Sequence, residues 1–465
     1  MLYASYRMTS VVLVTVDSLR ADHVGCYGYD RNTTPTLDAL AESGISFDAY
    51  ANANWTRASF PSIITSTYPL EYGGFEYLSE NRKTIGSAVQ DSDYRTAAFH
   101  SNLWLSRDYN YDRGFDHFYD SKSEPSLTAR LRTYVKLNLD HDSRLYRALQ
   151  WAYDTTEEKA GVDVGQTYKD AEALTDRVLE WLTAASPDEF FLWVHYMDVH
   201  HPYVPHEEDA EALGLDLDVG EREAIRLRRK MLESPDELTD AEHQTLVDLY
   251  DAEIRFTDRH IGRLLDAVET SNDPGLADTA VIVTADHGEE FAEHDGYSHN
   301  PSMYDEVLRV PLVLYGADRL TDCDATGWQD EQVELLDVAP TVCDLFGVSV
   351  PESYRGRSVL DAAGSDEHAR VISETVRGDD FKFSIRTSDW KYIWDRDVET
   401  VELYDLGADS GETMNIAYEY PEVAAEFEDE VRSHIADLRE TNETLPSVRM
   451  DSETEGRLRN LGYLE

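Results

Sequence analysis

Cysteine is sparse, and the three present, Cys26, Cys323 and Cys343, are odd in number, far apart and without a CxxC pair. This argues against both a disulfide framework and a zinc knuckle, and makes a reducing interior the simplest setting. Long apolar runs are missing too. No stretch approaches membrane-spanning length, and the opening MLYASYRMTS is too short, and followed too soon by acid, to be a signal peptide. A cytoplasmic location without a membrane anchor is expected, with Met1 or Met8 as the start. Positive charge is the third scarcity: 41 Lys+Arg stand against 93 Asp+Glu, a formal net charge of -52. A chain this acidic repels a phosphate backbone, which argues against nucleic acid as a partner.

Aromatic residues make up 11% of the chain and apolar runs recur along it, so the acid belongs to folded surfaces rather than to a disordered polyanion. At roughly 100 to 200 residues per domain, two or three domains fit the length. Three short β-rich runs read as buried parallel strands: Val11 to Val16, Phe190 to Val194 and Thr279 to Thr284. Each ends at a polar cluster. The first delivers Asp17, the second leads through His195 to Asp198 and His200, and the third delivers Asp286 and His287. Ligands sit beyond the carboxyl ends of strands in open α/β sheets, so these clusters are expected to converge. Helical patterns at Pro35 to Ser43, Ala171 to Leu182 and Leu246 to Glu269 suit the crossovers of a doubly wound, mostly parallel α/β sheet. Residues 1–360 are read as the catalytic domain, with charged insertions near 124–165 and 207–243 that lie over the active edge and carry specificity. Residues 361–465 are read as a smaller C-terminal subdomain, with antiparallel strands in FSIRTSDWKYIWD and ETVELYDL, a helix from Pro421 to Leu438, and a polar end that wraps the surface.

Four segments, VTVDSLRADHVGCYGY, WTRASFPSIITSTYP, HYMDVHHPYVP and TADHGEEFAEHDGYSHNPSMYDEVLRVPLVLYG, resemble successive blocks of the sulfatase family, within the alkaline phosphatase superfamily. RTSDWKYIWD with ELYDL resembles that family's C-terminal strand region. The resemblance implies an alkaline-phosphatase-like sheet and a metal-dependent ester hydrolase. It makes Asp17, Asp286 and His287 metal ligands, with Ser18 where the family often has a second aspartate. Hard carboxylates with one imidazole suit Ca²⁺, Mg²⁺ or Mn²⁺; Zn²⁺ or a two-metal site stays open, with Asp198, His200 and His299 as further donors. Gly288 permits a sharp turn, and Glu289 and Glu290 are expected to start a helix.

Sulfatases carry a Cys or Ser that is oxidised to formylglycine. Ungapped alignment back from PSIITSTYP puts Thr56 on that position and Phe60 on the motif arginine, so no formylglycine is expected. Ser59 is a rival nucleophile, and Arg57 a cation within reach of an oxyanion. Thr56 also reads as the N-cap of a helix with Pro61 in its first turn, a setting that cradles tetrahedral anions. A threonine ester must be cleaved by water, as phosphothreonine is in related phosphatases and phosphodiesterases, so the chemistry leans towards phosphate while the family leans towards sulfate. His200 matches the family's substrate-facing histidine and His299 lies near its leaving-group position; either suits a general acid, while His201, His206 and His294 are weaker. Asp305 and Glu306 are expected to pair with Arg309, and Trp193 and Tyr196 to be core. Three functions follow: a hydrolase of small-molecule or saccharide sulfate or phosphate esters, a phosphoryl or phosphoglycerol transferase or phosphodiesterase, and a non-catalytic binding protein of sulfatase descent.

The acidity, with lysine scarce beside arginine, resembles proteins of salt-loving archaea, where concentrated salt screens carboxylate repulsion to within a few ångströms. The expected outcome is a melting temperature that climbs as KCl is raised from millimolar to molar; a flat or falling profile contradicts it.

Overall fold

The computed structural model describes residues 10–90, 94–122, 168–187, 189–271, 275–299, 302–316, 327–362, 370–377, 380–446, 448, 450 and 452–461. Runs of Val, Ile, Leu and Phe that cannot face water on either side build the centre of an eight-stranded sheet. Its strands are β1 (Ser10–Val16), β2 (Ile45–Tyr50), β3 (Arg95–His100), β4 (His117–Tyr119), β5 (Phe190–Tyr196), β6 (Thr279–Ala285), β9 (Arg309–Tyr315) and β10 (Gly327–Glu334); β7 (Glu290–Phe291) and β8 (Tyr297–Ser298) form a separate hairpin. The order is β10-β2-β9-β6-β1-β5-β3-β4. Among the described strands of this sheet only β9 runs against its neighbours, pairing antiparallel with β2 and β6. Every residue of β1, β5 and β6 is buried.

Helices pack against the sheet. Helix α1 (Pro35–Ser43) begins with the expected proline, and its Leu37, Leu40 and Ala41 face the core at helical spacing. The crossover helices expected at Ala171 and Leu246 run Ala171–Ala185 and Asp240–Ser271. The expected insertion near 124–165 lies outside the described residues. The one near 207–243 is helical, with Glu207–Ala212, Glu221–Glu233 and the start of Asp240–Ser271. No helix of the described residues is long and apolar enough to cross a membrane.

Beyond the large sheet, β11 (Val371–Arg377), β12 (Asp380–Arg386), β13 (Trp390–Asp395) and β14 (Thr400–Asp405) pair in sequence as an antiparallel sheet. Phe383, Ile385, Tyr392, Trp394 and Leu403 form a second core with Phe427, Val431 and Leu438 of the helix Pro421–Glu440. The polar end beyond Glu440 includes a helix, Ser452–Leu461, with Leu458 fully buried.

One expected pairing is corrected. Arg309 pairs with Asp48 (Nε to Oδ1, 2.6 Å), not with Asp305. Asp305 instead reaches across to the small sheet, accepting from Arg386 Nε at 2.9 Å and Lys391 Nζ at 2.8 Å. Arg309 lies in β9 with Tyr50 of β2 as its register partner, so its side chain meets Asp48 two residues back, a neighbour that chain order does not reveal. Burial alone would raise the Asp305 carboxyl, but Lys391 and Arg386 outweigh it and hold it well below the usual range. Lys391 is fully buried, so Asp305→Asn removes the nearer of its two carboxylates and leaves the ammonium with Glu412 Oε1 at 3.4 Å. The variant is expected to lose about 3 kcal/mol of unfolding free energy near neutral pH, measured by urea titration. Because the folded-state pKa is depressed, this stabilisation is fully present above the unfolded value of 3.8 and is lost as pH falls from there through the lower folded value, so wild type and variant converge only in strong acid.

Candidate active site

Strand register creates the site. Val16 of β1 lies opposite Ala285 of β6, so Asp17 and Asp286 leave adjacent parallel strands at the same level. Asp17 N still bonds Tyr196 O at 2.8 Å, and the chain then turns sharply through Ser18, whose φ of 58° is left-handed. Ser18 ties the acids together: its N–H donates to Asp286 Oδ1 at 3.2 Å and its hydroxyl to Asp17 Oδ1 at 3.0 Å. Both carboxylates are fully buried. Among the described residues Asp286 Oδ2 has no hydrogen-bond partner, and burial followed by the Asp17 charge pushes the Asp286 carboxyl well up. An orphaned carboxylate oxygen beside a second carboxylate is costly unless a cation joins them.

His287 completes the cluster. Its Nδ1 lies 2.8 Å from Gly288 O, an arrangement that puts the proton on Nδ1 and the lone pair on Nε2. Nε2 is 3.6 Å from Asp17 Oδ1, 3.6 Å from Asp286 Oδ2 and 3.2 Å from Thr56 Oγ1. Donor atoms of Asp17, Asp286 and His287 lie within 4.8 Å of one another. Two oxygen donors and one imidazole fit a hard divalent ion. Gly288 is required here, because a Cβ would stand 2.1 Å from Glu306 O. The helix expected at Glu289 and Glu290 does not form: Gly288 N and Glu289 N bond Val307 O and Glu306 O, and Glu290 enters β7.

Helix α2 (Thr56–Thr65) delivers the threonine. The N-cap is Trp55 rather than Thr56, and Pro61 lies in the helix interior rather than its first turn. The Thr56 hydroxyl is thus released from capping and donates to Asp17 Oδ2 at 3.2 Å. Ser59 turns away, spending its hydroxyl on Asp286 O at 2.6 Å. Arg57 bonds Glu76 O at 2.8 Å and stacks 3.9 Å above the Trp104 ring.

Histidines flank the cluster on the other side. The His299 ring lies 4.6 Å from His287 and 5.1 Å from His200. Burial, only partly offset by Asp17, lowers His200 to about 4. His201 is engaged at both nitrogens, Nε2 with Ser298 Oγ at 3.1 Å and Nδ1 with Arg228 Nε at 3.2 Å. That guanidinium disfavours a second cation beside it, although His200, His201 and His299 lie close enough to hold one. Asp198 is drawn elsewhere: it accepts from Ala171 N at 2.9 Å, and its charged neighbours are Glu253, Asp170 and His206.

Two residues of the cluster escaped the sequence reading of the site. His195 Nε2 stands 3.4 Å from Asp17 Oδ2, oriented by Thr15 Oγ1 at 3.0 Å from its Nδ1. A histidine inside the apolar run FFLWVHY was the available signal. Glu289, fully buried and raised to about 7 by burial against the pull of His200 and His287, has its Oε1 3.7 Å from His299 Nδ1. Its place in a presumed helix start concealed it. Replacing His195 with Gln is expected to reduce divalent-ion occupancy about 10-fold, read by titration calorimetry on folded protein, since it removes a group that orients Asp17.

Residues 9–348 match the Sulfatase family, and residues 292–441 match N-sulphoglucosamine sulphohydrolase, C-terminal. Arylsulfatase K of Bos taurus is 30% identical over 469 residues, covering 92% of this chain and 81% of its own length. Arylsulfatase of Clostridium perfringens is 24% identical over 459 residues, covering 88% of this chain and 90% of its own. Phosphonate monoester hydrolase of Agrobacterium radiobacter shares the fold with a TM-score of 0.68 at 17% identity, over 92% of this chain and 96% of that one. A structure solved in complex with its substrate D-Glucosamine-2-N, 6-O-disulfate aligns with a TM-score of 0.69 at 18% identity, over 93% and 98%. With the blocks legible in sequence now gathered at the ends of β1, β5 and β6, and the match spanning most of the chain, this protein belongs to the sulfatase family of the alkaline phosphatase superfamily.

Proposed function

We propose that the chain hydrolyses sulfate or phosphate esters with Thr56 as the nucleophile and Asp17, Asp286 and His287 holding one divalent ion, Ca²⁺, Mg²⁺ or Mn²⁺. The observation that carries this reading is the Thr56 hydroxyl, 3.2 Å from both Asp17 Oδ2 and His287 Nε2, beside the paired acids. A bound divalent ion would supply Lewis acidity, easing loss of the hydroxyl proton and neutralising charge on the ester. Thr56 Oγ1 attacks sulfur or phosphorus, its proton passing to Asp17 Oδ2, to which it already donates, and the bond to the departing alcohol oxygen breaks. That oxygen takes a proton from His299, which Glu289 steadies from 3.7 Å, while His200 binds the ester. Water then cleaves the Thr56 ester, its hydroxyl going to sulfur or phosphorus and its other proton to His299, while Asp17 returns its proton to Thr56 Oγ1; sulfate or phosphate leaves and the starting state is restored.

Threonine in place of a formylglycine precursor supports phosphate, and so does the shared fold with a phosphonate monoester hydrolase. The relative solved with a disulfated glucosamine supports a saccharide ester. Transfer to an acceptor other than water remains an alternative by the same first step, and product analysis with added alcohols separates the two.

Assays on aryl sulfate, phosphate monoester and phosphate diester should show activity that EDTA removes and added divalent ion restores. Thr56→Ala is expected to reduce kcat by on the order of 10³-fold or more with the melting temperature unchanged; undiminished activity refutes the nucleophile. Asp286→Asn should lose stoichiometric metal by elemental analysis. A wild-type protein that binds no metal and splits none of these esters would favour a non-catalytic binding protein.

A further inference from the structure

The helix Glu221–Glu233, within the insertion, is fastened to the molecule by its other cations. Arg226 Nη2 pairs with Glu242 Oε1 at 2.8 Å, and Lys230 Nζ with Glu242 Oε2 at 2.6 Å, which pins it to the start of Asp240–Ser271. Ala224, Leu227 and Met231 are buried, the spacing of one helical face, and Arg228 lies on the same side, four residues after Ala224.

Arg228 is partnered differently from those neighbours. Its Nε donates to His201 Nδ1 at 3.2 Å, but among the described residues no carboxylate comes within 4.0 Å of its guanidinium. Its two Nη groups donate to no protein atom among those residues. Arg82 and Arg113, also without a carboxylate within 4.0 Å among the described residues, are held differently: Arg82 reaches four carbonyls and a threonine, and Arg113 reaches four carbonyls. Arg228 has one hydrogen bond where those arginines have four or more, which leaves both of its Nη groups unspent among the described residues. Burial lowers Arg228 to about 10, the direction expected of a cation without a close counter-charge.

Its position gives those unspent donors a purpose. The His201 ring that it touches lies 4.3 Å from the His200 ring, and His200 and His299 lead to His287. A protein so acidic repels any anionic ester at a distance, and an isolated cation beside the site offsets that repulsion where it matters. The guanidinium fork matches carboxylate, sulfate and phosphate geometry bidentately.

We propose that Arg228 forms a subsite for a second anionic group of the substrate, a carboxylate or a further sulfate or phosphate, beside the ester that is cleaved. The proposal rests on the ester-hydrolase reading, extending it to a polyanionic substrate class.

The test compares matched esters: 4-nitrophenyl sulfate and phosphate, the same esters bearing a ring carboxylate, and the same esters bearing a second sulfate. Wild type should prefer the dianionic members. Arg228→Gln should cut their kcat/KM about 10- to 100-fold, mainly through KM, and leave the simple esters within about 3-fold. Arg228→Lys, which keeps the charge but not the fork, should fall between. The carboxylate and sulfate arms identify which second group is read. Equal loss on all esters, or no loss on any, overturns the subsite. If wild type splits none of them, the hydrolase reading fails, and thermal shift with the intact dianionic esters decides the subsite alone. Stabilisation in wild type that vanishes in Arg228→Gln upholds it, and its absence in wild type overturns it.

Discussion

Two carboxylates that repel one another are held side by side in the dry interior, and the site is organised around that conflict. Parallel pairing of β1 with β6 puts Asp17 next to Asp286, a consequence of register alone. The surroundings restrain the pair without neutralising it: Ser18 donates to both, His287 and His195 approach, and one oxygen of Asp286 is left over. A strand pair that is fully buried tolerates such a pair of acids only at its end, where the ladder opens and a cation can enter.

The remaining elements act on that centre from different distances. Helix α2 begins at Thr56, so its first hydroxyl and its positive N-terminal end face the same point that the carboxylates make negative. The β7–β8 hairpin and the loop after β5 bring Glu289, His299 and His200 alongside. Farther out, Asp305 ties the turn after the hairpin to β12 and β13, so the small sheet braces the segment that carries His287 and Glu289. The C-terminal region therefore supports the site by ion pairing rather than by contributing groups to the central cluster.

Charge works on two scales here. Over the whole molecule acid dominates and favours a solvated, self-repelling surface. Around the site the sign is mixed: histidines face Asp17, and among the described residues Arg228 stands without a carboxylate partner. A uniformly acidic field repels anionic esters, so the proposed reading relies on the local mixture of charge rather than on the surface average.

Much of this was legible in the chain itself. Buried strands announce themselves by unbroken β-branched runs, and polar residues where those runs stop mark a site, so Asp17, Asp286, His287 and the α/β fold could be read directly. Thr56 followed from its block. The hidden part was what depends on partners distant in sequence. His195 matters because β5 lies beside β1; Glu289 because backbone pairing with Glu306 and Val307 replaced a helix; Arg228 because its helix docks by Glu242. Asp198 and Ser59 stood in the right blocks yet point to other partners. Sequence by itself determined which residues could do the chemistry, since strand, turn and block are local patterns. Tertiary structure decided which of them meet, because register and helix docking set side-chain direction, and no local pattern encodes either.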